Sequence, residues 1–350
     1  MRRIVTLLLP LLAACGRGAS VPAPVAGPPQ LVEQTSGTRS LLQAVSAVND
    51  QVAWVAGHRA TWARTTDGGA TWQAGAMTGA DSTLEFRDVH AVSAEVAYLL
   101  AAGPGQASRI YKTTDAGASW QRQFLNRDSS AFFDCFDFFD ADHGLAVSDA
   151  VRGRLIVIAT RDGGAHWTDQ SAGLPPALEG EGAFAASGTC LVAQGDEDAW
   201  IGTGAATGAR VYHTSDAGFN WTVAATPVVS GSASGVASVA FRDEHHGLAL
   251  GGRLADANDR SANVARTADG GQTWTIIGRP VFSGAVYGAA YVPRLHTTVV
   301  AAAPGGLDYS TDDGANWTAL STQAYWAVAF ASPRAGWAVG PGGRITRIAF

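Results

Sequence analysis

The sequence predicts an all-β chain, a single β-propeller of seven blades with four antiparallel strands each. Two observations carry this. A turn motif of one pattern, Ser/Thr-x-Asp-x-Gly-x-x-Trp, occurs six times, with its Asp at positions 67, 115, 162, 216, 269 and 312. The steps between copies are 48, 47, 54, 53 and 43 residues, and the segments between them read as short apolar runs without helical periodicity. A period near 50 with turn chemistry and strand-like runs is the signature of propeller blades or a similar array.

The chain begins with a leader. Met1, Arg2 and Arg3 precede the apolar run Ile4 to Leu12, and Ala13, Ala14 and Cys15 follow. A short basic stretch, a short apolar run and small residues describe an export signal, and the run is shorter than the about 20 residues a membrane-spanning helix needs. Leu12-Ala13-Ala14-Cys15 resembles the bacterial lipobox. That resemblance implies diacylglycerol on the Cys15 thiol, and an exported, membrane-anchored lipoprotein of the cell envelope or periplasm. Residues 1-15 are therefore read as a signal peptide. Residues 16-30, rich in Gly, Ala and Pro, read as a flexible tether. The propeller is assigned to residues 31-350.

The motif residues have physical reasons. An Asp carboxylate accepts hydrogen bonds from the N–H groups of the turn that follows. Glycine supplies the positive φ that other residues resist. The Ser or Thr hydroxyl bonds the carboxylate, and the Trp buries a broad face against the neighbouring unit. The structural set is Asp67, Gly69 and Trp72; Asp115, Gly117 and Trp120; Asp162, Gly164 and Trp167; Asp216, Gly218 and Trp221; Asp269, Gly271 and Trp274; and Asp312, Gly314 and Trp317. The six copies resemble the Asp-box, also called the bacterial neuraminidase repeat. In the families that carry it, this repeat is structural and lies away from active sites.

Each unit then reads in order: a first strand, a polar turn, a second strand ending in Gly, and the box hairpin. First strands are read at 85-92 (EFRDVHAV), 132-139 (FFDCFDFF), 181-190 (EGAFAASGTC), 238-243 (SVAFRD) and 285-292 (AVYGAAYV). Second strands include VAWVAG at 52-57, AWIGTG at 199-204 and GLALGG at 247-252. These continuous apolar runs suit strands covered on both faces by adjacent blades. Residues 322-350 supply three strands of a last unit and no box. LVEQTS at 31-36 is expected to supply its fourth and close the ring.

Composition excludes several classes. The formal charge is -6, and removing Arg2 and Arg3 makes it -8; Lys112 is the single lysine. No basic face is available for phosphates, so nucleic acid is not an expected partner. The three cysteines cannot form a four-ligand zinc site, and no cofactor motif is present, so no metal and no cofactor are expected. His245 and His246, beside Asp243 and Glu244, read as a solvated inter-strand turn. Cys135 and Cys190 fall in comparable first strands of consecutive units, as a disulfide or as two buried thiols, with either state open.

Propeller ligand sites lie at the channel ends, lined by the first strands. The binding candidates there are Glu85, Arg87, Asp88, Asp134, Glu181, Ser187 and Tyr287. Charge gathers in units 2 to 4, and units 5 to 7 are mild. Asp88, Asp134 and Glu181 are the carboxylates available for glycosidase acid–base work, which needs two at a set separation. No catalytic residue is assigned.

Across about 320 residues, the repeat layout, the Gly-rich second strands and the ending GWAVGPGGRITRI (336-348) resemble the photosystem II stability/assembly-factor family and its non-photosynthetic relatives. That resemblance implies an Asp-box propeller that binds newly made membrane-protein subunits and assists their assembly. The expected function is a lipid-anchored binding or scaffold propeller acting on a membrane or envelope protein. The alternative is a carbohydrate-active propeller that binds or cleaves glycans.

Overall fold

The computed structural model describes residues 28–350. Cys15, the leader and most of the tether lie outside the described residues. Seven four-stranded antiparallel sheets follow one another around a ring. The innermost strands are Leu42–Ala47, Phe86–Ala91, Phe133–Phe138, Leu191–Gln194, Ser234–Phe241, Gly288–Tyr291 and Ala327–Ser332. They define blades 1 to 7, and each touches the inner strands of its neighbours.

The ring closes as the sequence predicts. Strand Gln30–Thr35 pairs antiparallel with Arg344–Ala349, from Gln30 opposite Ala349 to Thr35 opposite Arg344. The first strand of the chain is thus the outer strand of blade 7. Gln34 fastens this seam to blade 1: its Oε1 accepts from the indole N–H of Trp72 (3.1 Å) and of Trp337 (3.2 Å), and its Nε2 donates to Gly68 O (3.0 Å).

Second strands such as Ala53–Gly57, Ala97–Ala101 and Val299–Ala303 are buried along their whole length. Both faces pack on neighbouring blades, so polar alternation has no place there. Seven apolar clusters fill the interfaces between blades. Each motif Trp packs into one of six of these clusters. Trp120 joins Trp54 and Trp62 between blades 1 and 2, with ring centroids 6.1 and 5.8 Å away. The seventh interface, between blades 6 and 7, has no motif Trp and is sealed instead by Leu31 and Phe350.

The six motif turns share one hydrogen-bond pattern. In the first, Thr65 Oγ1 donates to Asp67 Oδ1 (2.8 Å) and accepts from the Gly69 N–H (2.8 Å). The Thr71 N–H donates to Asp67 Oδ1 (2.9 Å). The N–H of the residue before the motif glycine reaches the turn between the first two strands, as in Gly68 to Gln51 O (2.9 Å) and Ala116 to Glu95 O (2.9 Å). Each box hairpin is therefore tied to the other turn at the same end of its blade. The opposite end, where the inner strands begin, is free of boxes.

One strand reading is corrected. Residues 181-190 do not form the first strand of blade 4, which is Leu191–Gln194. The predicted span leaves the sheet and crosses the mouth of the channel. Cys190 consequently lies just before the inner strand, and it is bonded to Cys135 of blade 3, with Cα atoms 6.0 Å apart. That resolves the two open states in favour of the disulfide.

Candidate functional site

A cavity of about 460 Å³ opens at the box-free mouth of the channel. Three features build it. Inner-strand starts bring in Leu41 and Gln43 from blade 1 and Phe132 and Asp134 from blade 3. His58 enters from the turn after the second strand of blade 1, and Tyr287 and Trp326 precede the inner strands of blades 6 and 7. The crossing segment, through residues 183-186, closes the cavity toward the channel.

That segment is held at several points around the ring. Ala185 O accepts from Arg87 Nη1 of blade 2 (3.1 Å). Ser187 Oγ donates to Tyr287 O of blade 6 (2.6 Å). Thr189 Oγ1 donates to Ser238 Oγ of blade 5 (2.8 Å), and Thr189 O accepts from the Val239 N–H (2.8 Å). Gly188 has φ +83°, and a Cβ there would fall 2.2 Å from Asp88 Oδ1. Only glycine suits both the left-handed backbone and the close approach. Blades 2 and 6 lie across the ring from each other, so the mouth is a recess and not an open pore.

The predicted residues divide into two groups. Arg87, Asp134 and Tyr287 line the cavity. Glu85 stands beside it, accepting from Arg87 Nε (3.1 Å) and Nη2 (2.5 Å), and 3.7 Å from His58 Nε2. Ser187 serves the crossing segment. Asp88 and Glu181 do not line the cavity. Asp88 is buried between blades 2 and 3, where its carboxyl accepts from the N–H of Val89 (2.8 Å) and Phe136 (2.9 Å). Glu181 is buried in blade 4, accepting from Thr203 Oγ1 (2.6 Å), Arg210 Nε (2.9 Å) and the Leu178 N–H (2.8 Å). The three carboxylates weighed for acid–base work therefore do not converge.

The electrostatics follow from burial. Burial raises the Asp134 carboxyl well above its ordinary range, and the nearby Asp149 carboxyl adds to the rise; Arg87 opposes it. Burial also raises Asp149, to about 6. Desolvation lowers His58, with Glu85 opposing and Arg87 assisting. For Glu181, burial pushes up, and the hydrogen bonds from Arg210 and Thr203 more than reverse it. Burial thus disfavours the charged forms of His58 and Asp134, and Arg87 is paired with Glu85.

Two buried polar atoms here have no hydrogen-bond partner, Gln43 Oε1 and His58 Nε2, and Asp134 Oδ2 has only the neighbouring Asp149 carboxyl to pair with. Leaving such an atom unpaired costs about 1–3 kcal/mol. Sequence reading missed Gln43, His58, Phe184 and Trp326. Gln43 had a signal, as a polar residue inside the first strand of blade 1. His58 reaches this cavity within blade 1, where its N–H donates to Leu41 O (2.9 Å), and Trp326 reaches it through ring closure. A second groove, of about 600 Å³, lies at the ring seam, lined by residues 33-39 and 341-344. The His245–His246 turn is a capped one, with Asp243 Oδ1 accepting from the N–H groups of His245 (2.9 Å) and His246 (2.8 Å).

No family model matches the chain, and no curated protein matches it. Solved structures do. YCF48 bound to D1 peptide aligns with 95% of this chain and 100% of its own, at 18% identity and a TM-score of 0.65. YCF48 from Cyanidioschyzon merolae aligns over 91% of this chain and 98% of its own, at 16% identity and 0.64. The chain shares its fold with these propellers. The GH74 xyloglucanase from Xanthomonas campestris is also similar (17% identity, TM-score 0.60), matching 91% of this chain and 53% of the enzyme. At these identities the likeness is one of architecture.

Proposed function

We propose that this protein is a lipid-anchored binding propeller of the cell envelope, which docks a membrane or envelope protein on the box-free mouth and assists its assembly or stability. The single observation behind this reading is the recess itself. It is closed below by the chain's own segment, and it is lined by buried polar groups without partners. A site with pre-placed polar groups and apolar walls is built to bind. The YCF48 structure bound to a D1 peptide supports the protein-partner side of the reading. Cleavage of glycosides has less support, because Asp88 and Glu181 are sealed by internal hydrogen bonds and only Asp134 faces the cavity. The lipobox supplies the anchor.

The test is site-specific photocrosslinking in detergent-solubilised envelopes, with a crosslinking amino acid at Phe132 or Trp326. A control site at Phe219 lies on an exposed position of a box turn. A defined envelope protein joined from Phe132 and Trp326 and absent at Phe219 is the expected result. Equal labelling from all three sites, or none, overturns the docking reading. Metabolic labelling with radioactive palmitate reads the anchor separately: label is expected on the wild type and not on Cys15→Ser.

A further inference from the structure

We propose that the mouth cavity is a saccharide subsite, which takes a neutral, polyhydroxylated ring by its hydroxyl groups at Gln43, His58 and Asp134 and by its apolar face at Tyr287 and Trp326. This deepens the proposed function, on which it rests, by assigning a small-molecule subsite within the same mouth.

The polar groups point first. Gln43 and Asp134 are 3% and 2% exposed and both line the cavity, yet Gln43 Oε1 has no partner and Asp134 Oδ2 has only the Asp149 carboxyl. His58 Nε2 adds a second unpartnered atom on the same surface. A ligand that supplies hydrogen bonds here relieves the desolvation costs at Gln43 and His58 and adds a partner for Asp134 beside Asp149.

Charge then decides the class. A carboxylate or phosphate needs free cationic donors. Arg87 is the cation of the cavity, and its Nε and Nη2 are taken by Glu85 and its Nη1 by Ala185 O. An ammonium or guanidinium would sit in the same small volume as the Arg87 charge. A hydroxyl has neither problem. It both donates and accepts, so it pairs with either end of the amide and either imidazole tautomer.

The walls agree. Tyr287 and Trp326 meet edge to face with centroids 5.6 Å apart, and the Tyr287 hydroxyl is already engaged as donor to Leu254 O (3.2 Å). Phe132, Phe184 and Leu254 continue the apolar surface. A pyranose presents C–H groups on one face and hydroxyls at its edge, which fits a cavity divided in this way. A volume of about 460 Å³ is within the range of small-ligand sites.

The experiment is a calorimetric and saturation-transfer NMR titration of the intact lipoprotein in detergent. The probes are glucose, galactose, N-acetylglucosamine and the disaccharides maltose and cellobiose, with acetate and methylammonium as charged controls. At least one saccharide is expected to bind with Kd on the order of 1 mM or tighter, and neither ion is expected to bind at the cavity. Asp134→Leu and Gln43→Leu should each weaken that saccharide at least tenfold. Asp134→Asn, which keeps a hydrogen-bonding group, should retain most of the binding. Near-UV circular dichroism of the Leu variants checks that the ring is intact, and Trp326→Phe gives a second probe of the wall that leaves the polar groups in place. Absence of binding by every saccharide, binding unaffected by both Leu substitutions, or preference for either ion overturns the proposal. If photocrosslinking from the same mouth still captures its protein, the docking reading stands without the saccharide. If saccharide binds and no protein is captured, the reverse holds.

Discussion

At the scale of single residues, the box turns show what backbone geometry demands. The motif glycine is left-handed, and so is the residue before it. That preceding position is filled by Gly68, Gly163 and Gly270, but also by Ala116 (φ +64°), Ala217 (φ +55°) and Asp313 (φ +56°). An L-residue in this region costs about 1–2 kcal/mol, partly offset in the mutant by glycine's larger entropy in the unfolded chain. Ala116→Gly and Ala217→Gly should each stabilise the protein by roughly 0.5–1 kcal/mol in urea unfolding. Asp313→Gly should not, because its carboxylate accepts from Arg242 Nε (3.2 Å) and the Tyr291 hydroxyl (3.1 Å).

Carboxyl groups at this scale also set opposite pH slopes. Asp67 is lowered to about 2 by hydrogen bonds from the Thr71 side chain and N–H, and Asp162 is lowered to about 2 by those of His166. A depressed folded pKa gives stability that is present above the unfolded value and lost as pH falls toward about 2. Asp149 is the reverse. Its folded pKa, raised by burial to about 6, gives a contribution that is complete below about pH 4 and lost as pH rises through 6. Asp149→Asn should therefore flatten the decline of the urea midpoint between about pH 4 and 6. It should leave the acid limb below about pH 3 unchanged. An unaltered slope between about pH 4 and 6 would refute the assignment.

At the scale of elements, the crossing segment of residues 183-189 is the least ordinary piece. It has no strand partner of its own, and it is held by hydrogen bonds to blades 2, 5 and 6 and by the disulfide to blade 3 at its C-terminal end. Cys135 and Cys190 close a loop of 55 residues. A cross-link of that span contributes roughly 2–4 kcal/mol. The paired Cys135→Ser and Cys190→Ser substitution should lower stability by that amount. It should also raise hydrogen exchange across 183-189 more than in the blade sheets. Gly188→Ala strikes both the backbone and Asp88, and should raise exchange in the same segment while the disulfide is intact. Unchanged exchange there in both variants would mean that the segment is held by neither device.

At the scale of the whole molecule, stability depends on closing the ring. An open propeller would expose the interface of blades 1 and 7, with Trp337 and Val339 now fully buried. Deleting residues 28–36 removes the strand that pairs with Arg344–Ala349 and the Gln34 contacts to Trp72 and Gly68. The expected result is a calorimetric transition that is lower in temperature and no longer two-state. The point substitution Gln34→Ala leaves the strand in place and two indole N–H groups unpaired, and should cost about 1–3 kcal/mol. A deletion variant that melts as the wild type does would refute closure as the stabilising device.

Much of this was legible in the chain. The six turns could be read because their chemistry is local: a Thr or Ser hydroxyl, an Asp carboxylate and a left-handed glycine within five residues specify one hairpin. The terminal strand of blade 7 was legible by counting, since the last unit lacked a fourth strand. Arg87, Asp134 and Tyr287 were found because inner strands line a channel. Residues 181-190 were misread as a strand because small apolar residues look alike in a buried strand and in a segment packed across a channel. The fates of Asp88 and Glu181 were hidden for a related reason. Asp88, in a first strand, faces water or a neighbour's amides according to the rotation of the next blade, an angle the sequence does not carry, and Glu181 lies outside the first strand, sealed by Thr203 and Arg210 of its own blade.

The sequence by itself determined the repeat, the strand order, the blade count and the seam, because each rests on contacts between residues near in the chain or on simple counting. Only the tertiary structure decided which end of the channel is closed, which carboxylates are sealed, that Cys135 and Cys190 are joined, and that Gln43, His58, Asp134 and Trp326 share one cavity. Gln43 and Trp326 stand almost the whole chain apart, and they meet because ring closure sets blade 1 beside blade 7. Such neighbours are fixed by the summed packing of all seven interfaces.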